Sequence, residues 1–237
     1  MPNNYLHGHS EFGNLLNILE TDKGIISQLI EKDYWIMHVL YGLKQQGFEF
    51  ELKGGTSLSK GYRIIDRFSE DIDIHIKPPS SINVETNPKN TKPKDVQSRR
   101  DFYEWLAKTI KIDGIVSIER DTAFDDEQYY RSGGIRLQYE KVTADASGVK
   151  EGILLEVGFD TVTPNRPITI SSWAFDKASA IEGIEFSDKG QSTYFVIILG
   201  LLSSRSCRPS QLNFVKNKNQ KVSDQISCAN TTTCIAS

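Results

Sequence analysis

Residues 52–76 of the 237-residue chain read LKGGTSLSKGYRIIDRFSEDIDIHI, and two patterns in this stretch decide the fold. At its end, Asp71 and Asp73 alternate with three isoleucines. Because successive side chains of a strand point to opposite faces, the alternation predicts a strand with the isoleucines in the core and both carboxylates on the other face. Two neighbouring carboxylates repel each other, and Mg²⁺, which prefers oxygen ligands, would remove that repulsion.

The first half of the stretch predicts a turn that binds phosphate. Alternating apolar residues over 48–52 indicate a half-buried strand, and Gly54, Gly55, Thr56 and Ser57 follow it directly. A helical repeat of apolar residues comes next. Glycines let the backbone approach an anion, hydroxyls can donate hydrogen bonds to it, and the N-terminus of a helix attracts it. These four residues are therefore candidate ligands for the phosphates of a nucleotide.

Each pattern alone has an ordinary explanation. An alternating strand is often an edge strand with one solvated face, and a Gly-Gly pair before a helix is often a plain turn. Lys60, one helical turn beyond Thr56, is a candidate for binding nucleotide phosphate, or else it faces solvent. The two patterns together, in the order strand, glycine turn, helix and acidic strand, are more specific than either pattern alone.

A third carboxylate comes from a later strand. Residues 153–159, ILLEVGF, form a nearly continuous apolar run, which predicts a buried central strand with Glu156 in its middle. A buried acid is costly unless it is paired or binds a metal. Glu156 is therefore either a third metal ligand or the partner of a basic neighbour such as Arg136, and Asp160 is the fallback for the third acid.

The motifs resemble those of a known family. KGGTSLSK at 53–60 and RFSEDIDI at 67–74 resemble the abortive-infection nucleotidyltransferase toxins of the AbiEii/AbiGii type, in the polymerase-β-like superfamily. EKDYWI at 31–36 is similar to the helix that precedes the glycine motif in that family, and its Lys32 and Asp33 are interpreted as surface charges. The third acid of the superfamily is commonly aspartate, so a glutamate there is a departure that lengthens the side chain by one methylene.

The resemblance implies an α/β (α+β) fold in which a small mixed sheet has helices on one face. It also implies metal-dependent transfer of NMP from an NTP to an acceptor, with two Mg²⁺ ions held by the catalytic residues Asp71, Asp73 and Glu156. The partners would be NTP, an acceptor such as tRNA or another RNA, and a cognate antitoxin. The biological role would be that of the toxin in a toxin–antitoxin, abortive-infection system of phage defence.

Composition restricts the partners and the compartment. The net charge is −3, so RNA binding would need a local basic patch. The nearest candidates are Lys89, Lys92, Lys94, Arg99 and Arg100. The three cysteines match neither a disulfide framework nor a common zinc pattern, and no signal peptide or membrane-spanning run is visible. We expect a soluble cytoplasmic protein without membrane contacts.

A change of composition near the end of the chain predicts a division into domains. Residues 1–190 would form the nucleotidyltransferase-like domain, and 191–237 a short, irregular C-terminal region, a truncated or altered form of the family's helical domain, because no amphipathic pattern persists there. Lys216 and Lys221 are the candidate counterparts of the family's later lysines. Two alternatives stay open: a non-catalytic nucleotide-binding remnant, or a metal-dependent glycosyltransferase-like enzyme that uses Asp-x-Asp.

Overall fold

The computed structural model describes residues 5–62, 69–160, 164–181, 186 and 191–197. Within these residues the chain forms four helices, seven strands and several short helical turns. The helices are α1 (Phe12–Lys23), α2 (Ser27–Gln45), α3 (Pro93–Thr109) and α4 (Trp173–Ser179). The strands are β1 (Glu49–Lys53), β2 (Asp71–Lys77), β3 (Ile115–Asp121), β4 (Ser132–Tyr139), β5 (Ile153–Gly158), β6 (Asn165–Ser171) and β7 (Gln191–Ile197).

All seven strands join one mixed sheet, in the order β3-β4-β5-β2-β1-β7-β6. The central strand β2 runs parallel to β5 and antiparallel to β1, and β1 in turn runs parallel to β7. The predicted α/β fold with a mixed sheet is confirmed. The three strands that flank or carry the functional motifs, β5, β2 and β1, lie next to one another at the centre of the sheet.

The core is built from the apolar positions that alternate along the central strands. The three isoleucines of β2 are fully buried, as their alternation with the aspartates predicts, and so are Ile153, Leu155 and Val157 of β5. Helix α3 packs against β3 and β4, and α2 packs against β5 as well as against α1 and α4. The buried face of β2 therefore anchors the strand in the core, and its opposite face carries the polar groups.

Helix α2 is buried on every side in its middle. Residues 30–40 are all buried, including the charged side chains of Lys32 and Asp33. Lys32 Nζ lies 2.9 Å from Glu70 Oε2, and Asp33 Oδ2 accepts a hydrogen bond of 2.9 Å from the N–H of Trp173. The interpretation of Lys32 and Asp33 as surface charges is therefore wrong, because a helix enclosed on all sides has no solvated face and must pair its charges inside.

Arg99 organises the connection between β2 and α3. Its fully buried side chain donates hydrogen bonds to the carbonyl oxygens of Tyr129, Glu85 and Asn90, over 2.9, 3.2 and 2.9 Å. The prediction that it contributes to a basic surface is wrong, because its buried guanidinium binds backbone carbonyl oxygens instead. The other members of the predicted basic cluster are exposed: Lys89, Lys92, Lys94 and Arg100.

The described residues all belong to one compact unit, Met1–Ser206. Strand β7 pairs with β1 and β6, so the sheet continues past residue 190. Residues 198–237 of the predicted C-terminal region lie outside the described residues, and they include Lys216, Lys221 and the three cysteines. The division of the chain into two domains therefore stays a prediction. No helix in the described part of the chain is long and apolar enough to span a bilayer.

Replacing Arg99 with alanine should destabilise the fold. The change removes a fully buried side chain and three hydrogen bonds to backbone carbonyl oxygens, so we expect the free energy of unfolding to fall by about 2–4 kcal/mol. Arg100→Ala is the matched control, because Arg100 is exposed and its loss should cost no more than about 1 kcal/mol. Urea unfolding of both variants measures the difference, and equal stabilities would contradict the role assigned to Arg99.

Candidate active site

The carboxylates of Asp71, Asp73 and Glu156 lie on one face of the central strands, which we call the acidic face. Asp71 and Asp73 point away from the buried isoleucines of β2, and the register with β5 places Asp73 directly beside Glu156. Adjacent strands lie about 4.8 Å apart, so the parallel pairing alone makes these two acids neighbours. Arg136, the residue considered as a partner for Glu156, forms an ion pair of 2.6 Å with Asp121.

The glycine loop, residues 54–62, lies against Asp73. A helical turn, Gly54–Thr56, continues into a π-helical turn, Ser57–Tyr62. Gly54 has a left-handed φ of 66°, and a Cβ atom there would come within 1.9 Å of Asp73 Oδ2. Glycine is required at this position, because any side chain would collide with the carboxylate and would also strain the backbone.

The Asp73 carboxylate is compensated by the glycine loop and by β1. It accepts a hydrogen bond from the N–H of Gly55. Burial and the nearby charges of Glu156 and Asp71 raise the pKa of Asp73 to about 7, against the opposing effect of the Lys53 ammonium. This carboxyl group therefore binds a proton close to neutral pH unless a cation joins it.

Lys53 is a site residue that the sequence patterns did not identify. It is the last residue of β1, and the antiparallel register places it directly opposite Asp73. Its Nζ lies 3.8 Å from Oδ2 of Asp160, which is 69% exposed, and would lie 3.0 Å from a Cβ atom at Gly158. The side chain thus reaches across β2 to β5. If the alternation of β1 is continued past Leu52, it predicts that Lys53 lies on the acidic face. The contact between Lys53 and Asp73 depends in addition on the register between β1 and β2, which the sequence pattern does not give.

Asp71 is compensated by a lysine from the β4–β5 connection. Lys150 Nζ lies 3.1 Å from Asp71 Oδ2. The other carboxylate oxygen, Oδ1, is buried and accepts no hydrogen bond from the described residues. No sequence pattern pointed to Lys150, because it lies in a connection without periodicity.

The hydroxyls predicted to contact phosphate are used inside the protein in this conformation. Thr56 Oγ1 donates to the backbone oxygen of Asp71 over 2.7 Å, and Ser57 Oγ donates to the backbone oxygen of Gly54 over 2.7 Å. Both side chains are buried. They fix the glycine loop to β2 and to itself. Their role in nucleotide binding stays a prediction, as does that of Gly54 and Gly55.

Lys60 joins the glycine loop to two other elements. Its ammonium forms an ion pair with the buried Asp33, donates to the carbonyl oxygen of Ser171 over 3.0 Å, and lies 4.7 Å from the centre of the Trp173 ring. Burial raises the pKa of Asp33, and the Lys60 ammonium opposes that rise. The predicted contact of Lys60 with phosphate stays a prediction, and it would require Lys60 to leave Asp33.

The donor set of the acidic face suits a hard divalent cation. Carboxylate oxygens are the ligands that Mg²⁺ prefers, and Asp71 Oδ1 is a buried oxygen that accepts no hydrogen bond from the described residues. In the described part of the chain, no group of three or more His, Cys, Asp or Glu side chains is arranged to hold a metal ion as it stands. In this conformation Asp71 Oδ2 pairs with Lys150, and the Asp73 carboxylate accepts a hydrogen bond from the N–H of Gly55.

Comparison with known proteins gives one match. A family model described as the nucleotidyl transferase AbiEii toxin of a type IV toxin–antitoxin system matches residues 38–186. This range covers more than half of the chain and includes the glycine loop, β2 and β5. Neither the comparison with curated proteins nor that with solved structures gives a match.

Gly54→Ala should lower the free energy of unfolding by more than the strain of a left-handed backbone alone would. The left-handed conformation costs a non-glycine residue about 1–2 kcal/mol, and the collision with Asp73 adds about 1–3 kcal/mol of overpacking. Gly24→Ala is the matched control, because Gly24 has a φ of 65° and nothing within 4 Å of an added Cβ. Chemical unfolding should therefore show a larger loss for Gly54→Ala, and equal losses would contradict the close approach to Asp73.

The free energy of unfolding should depend on pH through Asp73. Its pKa in the folded protein, about 7, lies above the ordinary 3.8, so the folded state binds the proton more tightly. The stabilisation is complete below pH 3.8 and is lost as pH rises through about 7. Asp73→Asn removes this titration and should make the metal-free protein more stable than wild type at pH 8, by at most about 4 kcal/mol.

Unfolding in a chelator at pH 4 and pH 8 measures this effect. The advantage of Asp73→Asn should be small at pH 4 and large at pH 8. The exposed Asp101 supplies the control variant, Asp101→Asn, which should show no such difference between the two pH values. A stability difference between Asp73→Asn and wild type that does not change with pH would contradict the raised pKa of Asp73.

Proposed function

The chain belongs to the AbiEii family of nucleotidyl transferase toxins of type IV toxin–antitoxin systems, and from this premise we propose that it transfers NMP from an NTP to an acceptor with the help of divalent metal ions. Membership of the family makes the chain an enzyme, a nucleotidyltransferase, and implies an antitoxin as its partner. The metal, the acceptor and the residues that act are the parts that the proposal adds.

One observation carries the proposal. Lys53, Asp73 and Glu156 stand in a row across three neighbouring strands, and Asp71 lies on the same face of β2. We assign Asp71, Asp73 and Glu156 as the residues that would hold two Mg²⁺ ions. When bound, the metal lowers the pKa of the attacking hydroxyl and neutralises the negative charge of the leaving pyrophosphate.

The glycine loop is the proposed site for the triphosphate. The N–H of Gly55 and the ammonium of Lys53 already lie beside the acids, where they would face the negative charge of the nucleotide. Gly54 lets the backbone approach closely, and Thr56 and Ser57 hold the loop in place through their hydroxyls. Such transfers depend on positioning and charge compensation more than on covalent chemistry by the protein.

We propose an RNA acceptor, with tRNA among the candidates, and a toxin role in abortive infection as a defence against phage. A basic surface for RNA is available on α3 and the connection before it, where Lys89, Lys92, Lys94 and Arg100 are exposed. Since the chain carries a net charge of −3, RNA binding would rest on this local patch and should weaken steeply with salt. We propose that the reaction takes place in the cytoplasm, because NTP and tRNA are cytoplasmic molecules.

Turnover tests the proposal. The purified chain is incubated with Mg²⁺, total bacterial tRNA and each NTP in turn, labelled in its α-phosphate, and label in RNA or protein is measured. We expect transfer by the wild type and a loss of activity of more than about a hundredfold in Asp71→Asn and Asp73→Asn. Mutation of a residue that only supports a metal ligand already lowers activity by about 10–100-fold, and loss of the ligand itself should lower it further. Asp22→Asn changes a half-exposed aspartate on α1 in the same way and should keep full activity.

The outcomes separate the proposal from its alternatives. Transfer that survives in a folded Asp73→Asn protein would overturn the assigned metal site. Binding of NTP that depends on Mg²⁺ but never leads to transfer would support a nucleotide-binding remnant. Binding of a sugar nucleotide in preference to NTP would support the glycosyltransferase-like alternative.

A further inference from the structure

Lys150 lies at the acidic face, and the proposed transfer assigns it no role. Its Nζ, on a side chain 47% exposed, lies 3.1 Å from Oδ2 of Asp71, whose side chain is 16% exposed. We propose that Lys150 is the internal counter-cation of the acidic face, which a divalent metal ion displaces from Asp71 when it binds. This inference rests on the proposed function, because it requires Asp71 to be a metal ligand.

An ion pair between the buried Lys32 and the partly buried Glu70 fixes the backbone of Lys150. The N–H of Lys150 donates to Glu70 Oε2 over 3.0 Å, and its carbonyl oxygen accepts from Lys32 Nζ over 2.7 Å. Burial lowers the pKa of Lys32, and the carboxylate of Glu70 opposes that change. A buried ion pair contributes little net stability, but it can fix one geometry. Here it fixes the residue whose side chain carries the ammonium to Asp71.

Helix α2 also holds the rest of the β4–β5 connection. The Glu31 carboxylate accepts hydrogen bonds from the N–H groups of Val142 and Thr143, over 2.9 and 3.1 Å. The side-chain oxygen of Gln28 accepts one from the N–H of Ala146 over 2.7 Å. Both α2 side chains are buried. The connection is therefore placed by the interior of the protein, and the position of Lys150 is part of the fold.

A metal ion and the Lys150 ammonium compete for Asp71. A divalent cation bound to the Asp71 carboxylate would lie next to the ammonium, and like charges at such a distance repel. The lysine side chain is flexible and half exposed, so its charged end can turn to solvent while its backbone stays fixed. Metal binding must then break one partly exposed ion pair, and this cost weakens the binding of the metal by up to about fivefold.

Binding of Mn²⁺ to the full chain tests the inference without any measurement of turnover. The dissociation constant is determined by calorimetry or by the electron paramagnetic resonance signal of free Mn²⁺. Lys150→Met removes the competing cation, so we expect Mn²⁺ to bind about two- to fivefold more tightly than to wild type. Lys150→Arg keeps the charge and should bind Mn²⁺ as wild type does.

Two further variants make the result specific. Lys141 lies in the same connection and pairs with Asp145, so Lys141→Met makes the same change of net charge away from the acids and should leave the affinity unchanged. Asp71→Asn should weaken binding at least about tenfold. Unchanged or weaker binding in Lys150→Met, with Asp71→Asn still weakened, would overturn the role of Lys150 and leave the proposed function standing. Binding that Asp71→Asn does not weaken would overturn both.

Discussion

The pairing of β2 with β5 sets the carboxylate of Asp73 directly beside that of Glu156, and this juxtaposition of negative charge determines what surrounds it. Two acids on adjacent strands at a partly buried face need positive charge or hydrogen-bond donors close by. Lys53 enters from the neighbouring strand, and the Gly55 N–H enters from the loop that follows that strand. Gly54 must be glycine, because the loop that brings the N–H donor passes so close to the carboxylate.

Helix α2 supports two parts of the chain that contact the acidic face, the glycine loop and Lys150. Through Asp33 it holds Lys60, which lies in the glycine loop, and through Lys32 it holds the backbone of Lys150. These two neighbours on α2 are thus connected to the two aspartates of β2, to Asp73 through the glycine loop and to Asp71 through Lys150. Buried charges of this kind add little to stability, but they select one geometry among many. Helix α2 therefore fixes the positions of the glycine loop and of Lys150 relative to each other.

How much of the site the sequence could predict depends on the range of each interaction. Alternation along a strand is local, so the burial of the β2 isoleucines and the shared face of Asp71 and Asp73 were predictable and are observed. The contact of Lys53 with Asp73 depends on the register between β1 and β2, and the contact of Lys150 with Asp71 depends on the path of a long connection. Neither leaves a periodic pattern in the sequence. Lys32 was misread because the pattern does not show that α2 is enclosed on every side.

The burial of each ion pair separates the fixed contacts from the exchangeable ones. Lys60 and Asp33 are 14% and 0% exposed, so opening that pair would leave a buried charge alone, which is costly. The side chain of Lys150, which pairs with Asp71, is half exposed. Asp73 has a pKa of about 7, so its carboxylate binds a proton close to neutral pH. Asp71 is therefore compensated by an ammonium that can turn to solvent, whereas a proton that leaves Asp73 leaves a carboxylate beside Glu156 that needs another cation. In the proposed reaction a divalent ion would take the place of this proton and of the Lys150 ammonium, while the Lys60–Asp33 pair would stay closed.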